Sequence, residues 1–150
     1  MALTSDELLT AAPVIPVVVL DDAADAVPLA QALTRGGLPV IEVTLRTDAA
    51  LDAIERIAAE VPEAIVGAGT IVDGIQAQQA VAAGAQFLVS PGQTPVLLDA
   101  LETSGVPFLA GAATPSDVTA LLERGIAVAK LFPAEALNGR QLLKALSGPF

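Results

Sequence analysis

The 150-residue chain contains no cysteine and no histidine. Without cysteine, it can form neither disulfides nor thiolate metal sites. Without histidine, it lacks the commonest zinc ligand and the imidazole base on which serine and cysteine triads depend. Any acid or base chemistry must therefore come from carboxylates, lysine, hydroxyl groups or water.

Aromatic and basic residues are also scarce. Tryptophan and tyrosine are absent, only four phenylalanines are present, and seven lysines and arginines stand against seventeen carboxylates, for a net charge of −10. Proteins bind nucleic-acid phosphates through clustered basic side chains and bind single strands through stacked aromatic rings. We therefore expect no nucleic-acid partner.

The chain has no long hydrophobic run. Its most apolar stretch, residues 14–20, is interrupted by Pro16 and is too short to cross a bilayer. Near the N-terminus, Asp6 and Glu7 stand where a secretion signal would carry positive charge. We expect no membrane partner, a cytoplasmic location and, from the hydrophobic content of 53%, a single globular domain over residues 1–150.

A repeated strand and helix pattern runs through the chain. Short segments rich in Val, Ile, Leu and Phe alternate with segments of helical spacing, most of which end at a glycine. The predicted strands are residues 14–20, 40–43, 64–68, 87–89, 108–110 and 128–131. Helix starts are predicted at capping residues, namely Asp21 with Asp22, Thr47 with Asp48, Thr94 and Thr114. Serial βα units predict a parallel sheet.

Six βα units leave two architectures open. The length favours an open doubly wound sheet, since a (β/α)8 barrel needs about 200 residues. However, the first βα turn contains Asp21 and Asp22 instead of glycines, and no phosphate-cradling lysine follows residues 66–70. A nucleotide cofactor is thus not supported.

Lys130 is one of only two lysines and lies in the apolar run 127–132. Burial disfavours an ammonium group and lowers the pKa of a lysine, and the neutral amine can then attack a carbonyl to form a Schiff base. A lysine at a strand end can equally pack its aliphatic stem and extend its amine to water. This segment alone leaves both readings open.

Other polar residues lie close to the carboxyl ends of predicted strands. Side-chain alternation predicts three shared faces, formed by residues 40, 42 and 44, residues 66, 68 and 70, and residues 128, 130 and 132. Parallel strands present their carboxyl ends on one rim, so we expect Glu42, Arg46, Thr70 and Lys130 to converge there. Each observation taken alone also has a structural interpretation. Glu42 and Arg46 could form an ion pair at a strand end, and Thr70 could cap a helix.

Four ordered motifs resemble the 2-keto-3-deoxy-6-phosphogluconate aldolase family. They are EVTLRT at 42–47, VGAGT at 66–70, FLVSPG at 87–92 and KLFPAE at 130–135. The resemblance implies a class I aldolase on a (β/α)8 TIM barrel, which cleaves that sugar acid or related 4-hydroxy-2-oxo acids to pyruvate and an aldehyde. It further implies a homotrimer that needs no metal or other cofactor.

The resemblance also assigns roles to residues. Lys130 would be the Schiff-base lysine and Glu42 the general acid and base. Arg46 and Thr70 would bind the pyruvate carboxylate, and Pro91 and Phe132 would line the pocket. The alternatives are a non-catalytic assembling fragment that retains these residues, and a sugar-phosphate isomerase or synthase in which Lys130 is dispensable.

The family continues for two more βα units, so the chain is expected to form an incomplete barrel of about six units. A sheet without those strands has two open edges and an uncovered core face. We therefore expect it to associate into a homo-oligomer. The glycine-rich loops after strands seven and eight, where barrels usually bind phosphate, have no counterpart in residues 1–150.

Overall fold

The computed structural model describes residues 4–150 as an alternation of strands and helices. The strands are β1 Val17–Val18, β2 Val40–Thr44, β3 Ile65–Gly69, β4 Leu88–Val89, β5 Phe108–Ala112 and β6 Ala129–Leu131. The α-helices are α1 Ser5–Ala11, α2 Ala26–Arg35, α3 Ala50–Glu60, α4 Gly74–Ala82, α5 Pro95–Glu102, α6 Pro115–Glu123 and α7 Gly139–Leu146. A short 3-10 helix, Ala23–Asp25, precedes α2. A strand is found in each of the six predicted segments. The first is much shorter than predicted, with only Val17–Val18 of residues 14–20 in β1, and the others differ by one or two residues at their ends.

The six strands form one parallel sheet in the order β1-β2-β3-β4-β5-β6. A doubly wound sheet reverses its strand order at a switch point, and this sheet does not. The preference for an open doubly wound sheet, which rested on length alone, is therefore wrong. Strictly sequential order is the arrangement of a (β/α) barrel, here with six strands.

The two faces of the sheet carry separate hydrophobic cores. On the outer face, Ile41 and Val43 of β2 pack with Ile54 and Ile57 of α3. On the inner face, alternate residues of the sheet and a residue of α1 form the second core, which comprises Leu8, Ala12, Val40, Phe87, Val89 and Leu109. The predicted shared face of residues 40 and 42 is confirmed, and it is the inner face of the sheet.

Helix ends follow the predicted signals in most units. Thr94 and Thr114 cap α5 and α6 through hydrogen bonds from Leu97 and Asp117 backbone N–H groups. Thr47 with Asp48 does not cap α3, which begins at Ala50 without a side-chain cap. The Thr47 hydroxyl instead donates a hydrogen bond to the Leu20 carbonyl and ties the end of β2 to the end of β1. Asp22 caps the 3-10 helix.

The sheet keeps two open edges, as expected. Within residues 4–150, β1 pairs with β2 alone and β6 pairs with β5 alone. Val17 lies in register with Glu42, so it faces the inner side, and yet 52% of its surface is exposed. The inner side is thus incompletely covered along β1. None of the helices in residues 4–150 has the length and hydrophobicity required to span a membrane.

Candidate active site

Lys130 and Glu42 meet across the inner face of the sheet. The Lys130 Nζ lies 3.2 Å from Glu42 Oε1 and 3.4 Å from Oε2. Their strands, β6 and β2, are four positions apart, which corresponds to about 19 Å in a flat sheet. The contact therefore requires the sheet to curl into a trough, and the two side chains bridge its interior.

The pair is largely withdrawn from water. The Glu42 side chain is only 5% exposed and that of Lys130 is 25% exposed. A buried carboxylate is costly unless it has a charged or hydrogen-bonding partner, and Lys130 is that partner. The arrangement places an amine and a carboxyl group within proton-transfer distance at the mouth of a partly dry trough.

Arg46 and Thr70 form a second contact at the carboxyl ends of β2 and β3. The Arg46 Nε donates a hydrogen bond to Thr70 Oγ1 over 3.3 Å. Thr70 does not cap a helix, since α4 begins at Gly74 and is capped by Asp73. Within the described chain, no hydrogen bond or ion pair joins this pair to Lys130 or Glu42.

The predicted face of β3 is wrong. Val66 and Ala68 belong to the outer core against the helices, so the inner face of β3 carries Gly67 and Gly69. Continued alternation would direct Thr70 outward. Thr70 instead has a φ of 64°, a left-handed conformation that breaks the alternation directly after the strand. Thr70 therefore reaches Arg46 because of this local turn and not because of strand parity.

Pro91 and Phe132 border a common cavity beside the loop after β4 and the carboxyl end of β5. The cavity, about 230 Å³, is also bordered by Gly111, Ala112 and Asp117, among others. The Phe132 ring centroid lies 5.6 Å from Lys130 Nζ, within the range of a cation–π contact. The ring thus lies over one side of the amine.

No role was assigned from the sequence to three glycines on the inner face of the sheet. Gly67, Gly69 and Gly111 stand where any side chain would collide with Phe87, with Glu42 or with the backbone of the loop at Pro91. Gly111 lies in register with Lys130 on the neighbouring strand. The signal was present, because glycine inside a strand often marks a close approach of other groups.

Buried hydroxyls support the same region. Thr44 is fully buried and donates a hydrogen bond from Oγ1 to the Val18 carbonyl over 3.1 Å. Ser90 is also fully buried, and its Oγ accepts a hydrogen bond from the Gly111 N–H over 3.4 Å. Both bonds link neighbouring strand segments directly beside the site and so stabilise the trough.

Comparison with known proteins identifies the family. The family described as KDPG and KHG aldolase matches residues 5–150. The 2-dehydro-3-deoxy-phosphogluconate aldolase of Dickeya dadantii is 46% identical over 147 residues, which cover 98% of this chain and 69% of that protein. The KHG/KDPG aldolase of Escherichia coli K12 is 47% identical over 147 residues, with 98% and 69% covered.

Solved structures of KDPG aldolases share the fold of this chain. The KDPG aldolase from Legionella pneumophila, which holds pyruvate captured at low pH as a covalent carbinolamine intermediate, superposes with a TM-score of 0.92 at 45% identity. The match covers 96% of this chain and 70% of that one. A KDPG aldolase of Zymomonas mobilis gives a TM-score of 0.94 at 44% identity, with 99% and 71% covered. The chain belongs to the KDPG and KHG aldolase family.

Proposed function

We propose that the chain is a class I aldolase, which cleaves 2-keto-3-deoxy-6-phosphogluconate or a related 4-hydroxy-2-oxo acid to pyruvate and an aldehyde. The observation that carries the proposal is the 3.2 Å contact between the Lys130 amine and the buried Glu42 carboxylate. Relatives named as KDPG aldolases support the substrate class. The covalent pyruvate carbinolamine of the Legionella protein supports covalent chemistry on the keto acid.

The reaction begins with the amine. Glu42 accepts a proton from the Lys130 ammonium, and the neutral Nζ attacks the C2 ketone to form a carbon–nitrogen bond. The ketone oxygen takes up the proton that the attacking nitrogen loses and becomes the hydroxyl of a carbinolamine. Glu42 returns its proton to this hydroxyl, which leaves as water, so Glu42 is again a carboxylate. The iminium ion that remains can accept an electron pair at its positive nitrogen.

Lys130, now the iminium nitrogen, and Glu42 together bring about carbon–carbon cleavage. Glu42 removes the proton of the C4 hydroxyl, the C3–C4 bond breaks, and its electrons pass to the iminium nitrogen. The C4 fragment leaves as the aldehyde and the rest becomes an enamine. Protonation at C3 and hydrolysis by water then release pyruvate and regenerate the amine.

Arg46 and Thr70 are proposed to bind the substrate carboxylate. A guanidinium group binds a carboxylate through charge-assisted, often bidentate hydrogen bonds. The 3.3 Å bond to Thr70 holds the Arg46 side chain at the rim where β2 and β3 end. Pro91 and Phe132 are proposed to line the pocket around the reacting carbons, since both border one cavity and the Phe132 ring centroid lies 5.6 Å from Lys130 Nζ.

Borohydride trapping tests the proposal. Incubation with pyruvate and sodium borohydride should attach one reduced adduct to the chain, located at Lys130 by peptide mass spectrometry. Lys130→Ala should abolish the adduct, and Lys144→Ala should retain it, because Lys144 lies in the exposed helix α7. An adduct that survives in Lys130→Ala, or a wild-type chain that forms none, would refute the proposal.

The trapping experiment also tests the alternative of a non-catalytic assembling fragment. The relatives named above are aldolases and give that alternative no support. Assembly itself is a separate proposal, supported by the two open sheet edges. A homo-oligomer, trimeric by family resemblance, should appear in analytical ultracentrifugation, whereas a monomer at all concentrations would contradict it. The cytoplasmic location and the absence of a cofactor stay predictions.

A further inference from the structure

The space above Gly69 is occupied by the carboxyl group of Glu42. A methyl carbon built on Gly69 would lie 2.1 Å from Glu42 Oε1 and 2.7 Å from both Cδ and Cγ. Gly69 pairs with Thr44, whereas Glu42 itself pairs with Gly67. The Glu42 side chain therefore leans two residues toward the carboxyl end of the sheet and lies across the bare backbone of β3.

The oxygen that fills this space is the one that contacts the lysine. Glu42 Oε1 lies 3.2 Å from Lys130 Nζ. A methyl group on residue 69 would thus have to displace the same atom that faces the amine. A Cβ atom essentially never lies within 3.0 Å of a heavy atom in a non-adjacent residue, and here the distance to Oε1 would be 2.1 Å. The required shift is therefore on the order of 1 Å.

At the other two inner-face glycines, groups other than a flexible side-chain end occupy the space where a side chain would lie. A methyl group on Gly67 would lie 2.4 Å from the ring of Phe87, which is fully buried. On Gly111 it would lie 2.2 Å from the Pro91 backbone. A buried ring and a backbone segment cannot move without disturbing the core. The end of the Glu42 side chain has rotatable bonds, so a methyl group at residue 69 threatens the geometry of the site more than the fold.

We propose that Gly69 is a positioning residue for the aldolase reaction, because its lack of a side chain lets the Glu42 carboxylate lie against β3 and face Lys130. The inference rests on the proposed function, in which Glu42 transfers protons to and from the amine and the substrate. Gly69 contacts neither the reacting atoms nor Lys130. It acts through Glu42.

Gly69→Ala should slow catalysis while the protein stays folded. A misplacement of about 1 Å can lower a rate by about 100-fold, so we expect the rate of pyruvate trapping at saturation to fall by about 10- to 100-fold. The pyruvate concentration for half-maximal trapping should change much less, since Arg46 and Thr70 are undisturbed. Gly67→Ala is the matched control on the same strand and face, and it should mainly lower the unfolding temperature.

A shorter acid should relieve the collision. Glu42→Asp removes one methylene group and withdraws the carboxylate from residue 69. In the double variant Gly69→Ala, Glu42→Asp, the added methyl group should therefore slow trapping by less than threefold relative to Glu42→Asp alone. A purely structural role for Gly69 predicts the same loss in both backgrounds, because the strand is the same.

The outcomes separate the inference from the proposed function. If the wild-type chain forms no pyruvate adduct, the proposed aldolase function is refuted, and with it the positioning role of Gly69. If the wild-type chain forms the adduct and Gly69→Ala traps pyruvate at the same rate, only the inference about Gly69 is overturned. If Gly69→Ala does not fold, Glu42→Ala should restore cooperative unfolding by removing the colliding group. Continued failure to fold in that background would overturn the inference.

Discussion

Arg46 Nε and Thr70 Oγ1 are joined by a 3.3 Å hydrogen bond that connects the carboxyl ends of two neighbouring strands. Thr70 adopts a left-handed backbone conformation at this point, which is uncommon for a residue branched at Cβ. Within residues 4–150, the exposed Arg46 guanidinium forms no ion pair with an acidic side chain. Its terminal nitrogens are thus available to a carboxylate.

Arg46→Lys should weaken binding of the keto acid. A lysine keeps the charge but presents a single ammonium point and loses the planar fork and the Nε bond to Thr70. We expect the pyruvate concentration for half-maximal borohydride trapping to rise about tenfold, with the saturated rate less affected. Arg56→Lys is the control, since Arg56 pairs with Asp52 on the exposed face of α3. Equal effects of the two substitutions would argue against the role of Arg46.

Glu42→Gln should show whether Glu42 acts through proton transfer or only through the space that its side chain fills. Glutamine has nearly the same size, so the trough is filled, but it cannot accept the proton that the amine or the C4 hydroxyl must lose. We expect the single-turnover rate of cleavage to fall by about 10²- to 10⁴-fold. Rapid-quench analysis of aldehyde release measures it. Cleavage at the wild-type rate would show that another group, or water alone, serves as the base.

Phe132→Leu should alter the environment of the amine. The ring centroid lies 5.6 Å from Nζ, and a cation–π contact at such a site contributes about 0.5–1 kcal/mol. Leucine retains apolar volume but lacks the π-system that would stabilise the cationic iminium ion formed at Nζ, so we expect trapping to slow several-fold at saturating pyruvate. Phe150→Leu, at a residue that is 50% exposed, is the control. A loss of activity shared by both variants would point to general destabilisation.

The sequence predicted the strands because their apolar runs are short and separated by helical segments. It also predicted that residues 40, 42 and 44 share one face of β2, since alternation holds within the five paired residues from Val40 to Thr44. Helix α1 was not predicted, although Thr4 and Glu7 form the capping box that begins it. The Thr-x-x-Glu spacing is the local signal that would have identified this helix.

The site was predicted less completely than the sheet. Lys130 and Glu42 are separated by 88 residues, and their contact depends on how far the sheet curls, which no local pattern encodes. The face of β3 was assigned wrongly because the prediction extended strand alternation to Thr70, beyond the last strand residue, Gly69. Glycine in a strand signals that some group comes close to the backbone, but it does not say which one. Only the structure shows that the group at Gly69 is the Glu42 carboxyl group.

Asp117 provides a test of how pH acts on the rim of the cavity. Its carboxylate accepts hydrogen bonds from the backbone N–H groups of Ala113, over 3.0 Å, and Thr114, over 2.9 Å. The Ala113 bond is the largest influence, and with the bonds at Thr114 it holds the pKa of Asp117 below its usual range, against the opposing effect of burial. A lowered pKa in the folded state stabilises the fold at pH values above the pKa of the unfolded chain. That stabilisation is lost as the pH falls through the lower, folded-state pKa.

Asp117→Asn should therefore destabilise the fold in a pH-dependent way. At neutral pH the loss of the charged acceptor that completes the capping box should lower the free energy of unfolding by about 1 kcal/mol. In strongly acidic solution, where the wild-type carboxyl group is protonated in both states, the difference between the two proteins should shrink. Urea unfolding across a pH series measures this difference in the free energy of unfolding. Asp48→Asn is the control, since Asp48 is exposed. A difference that stays constant as the solution is acidified would show that the charge of Asp117 does not stabilise this turn.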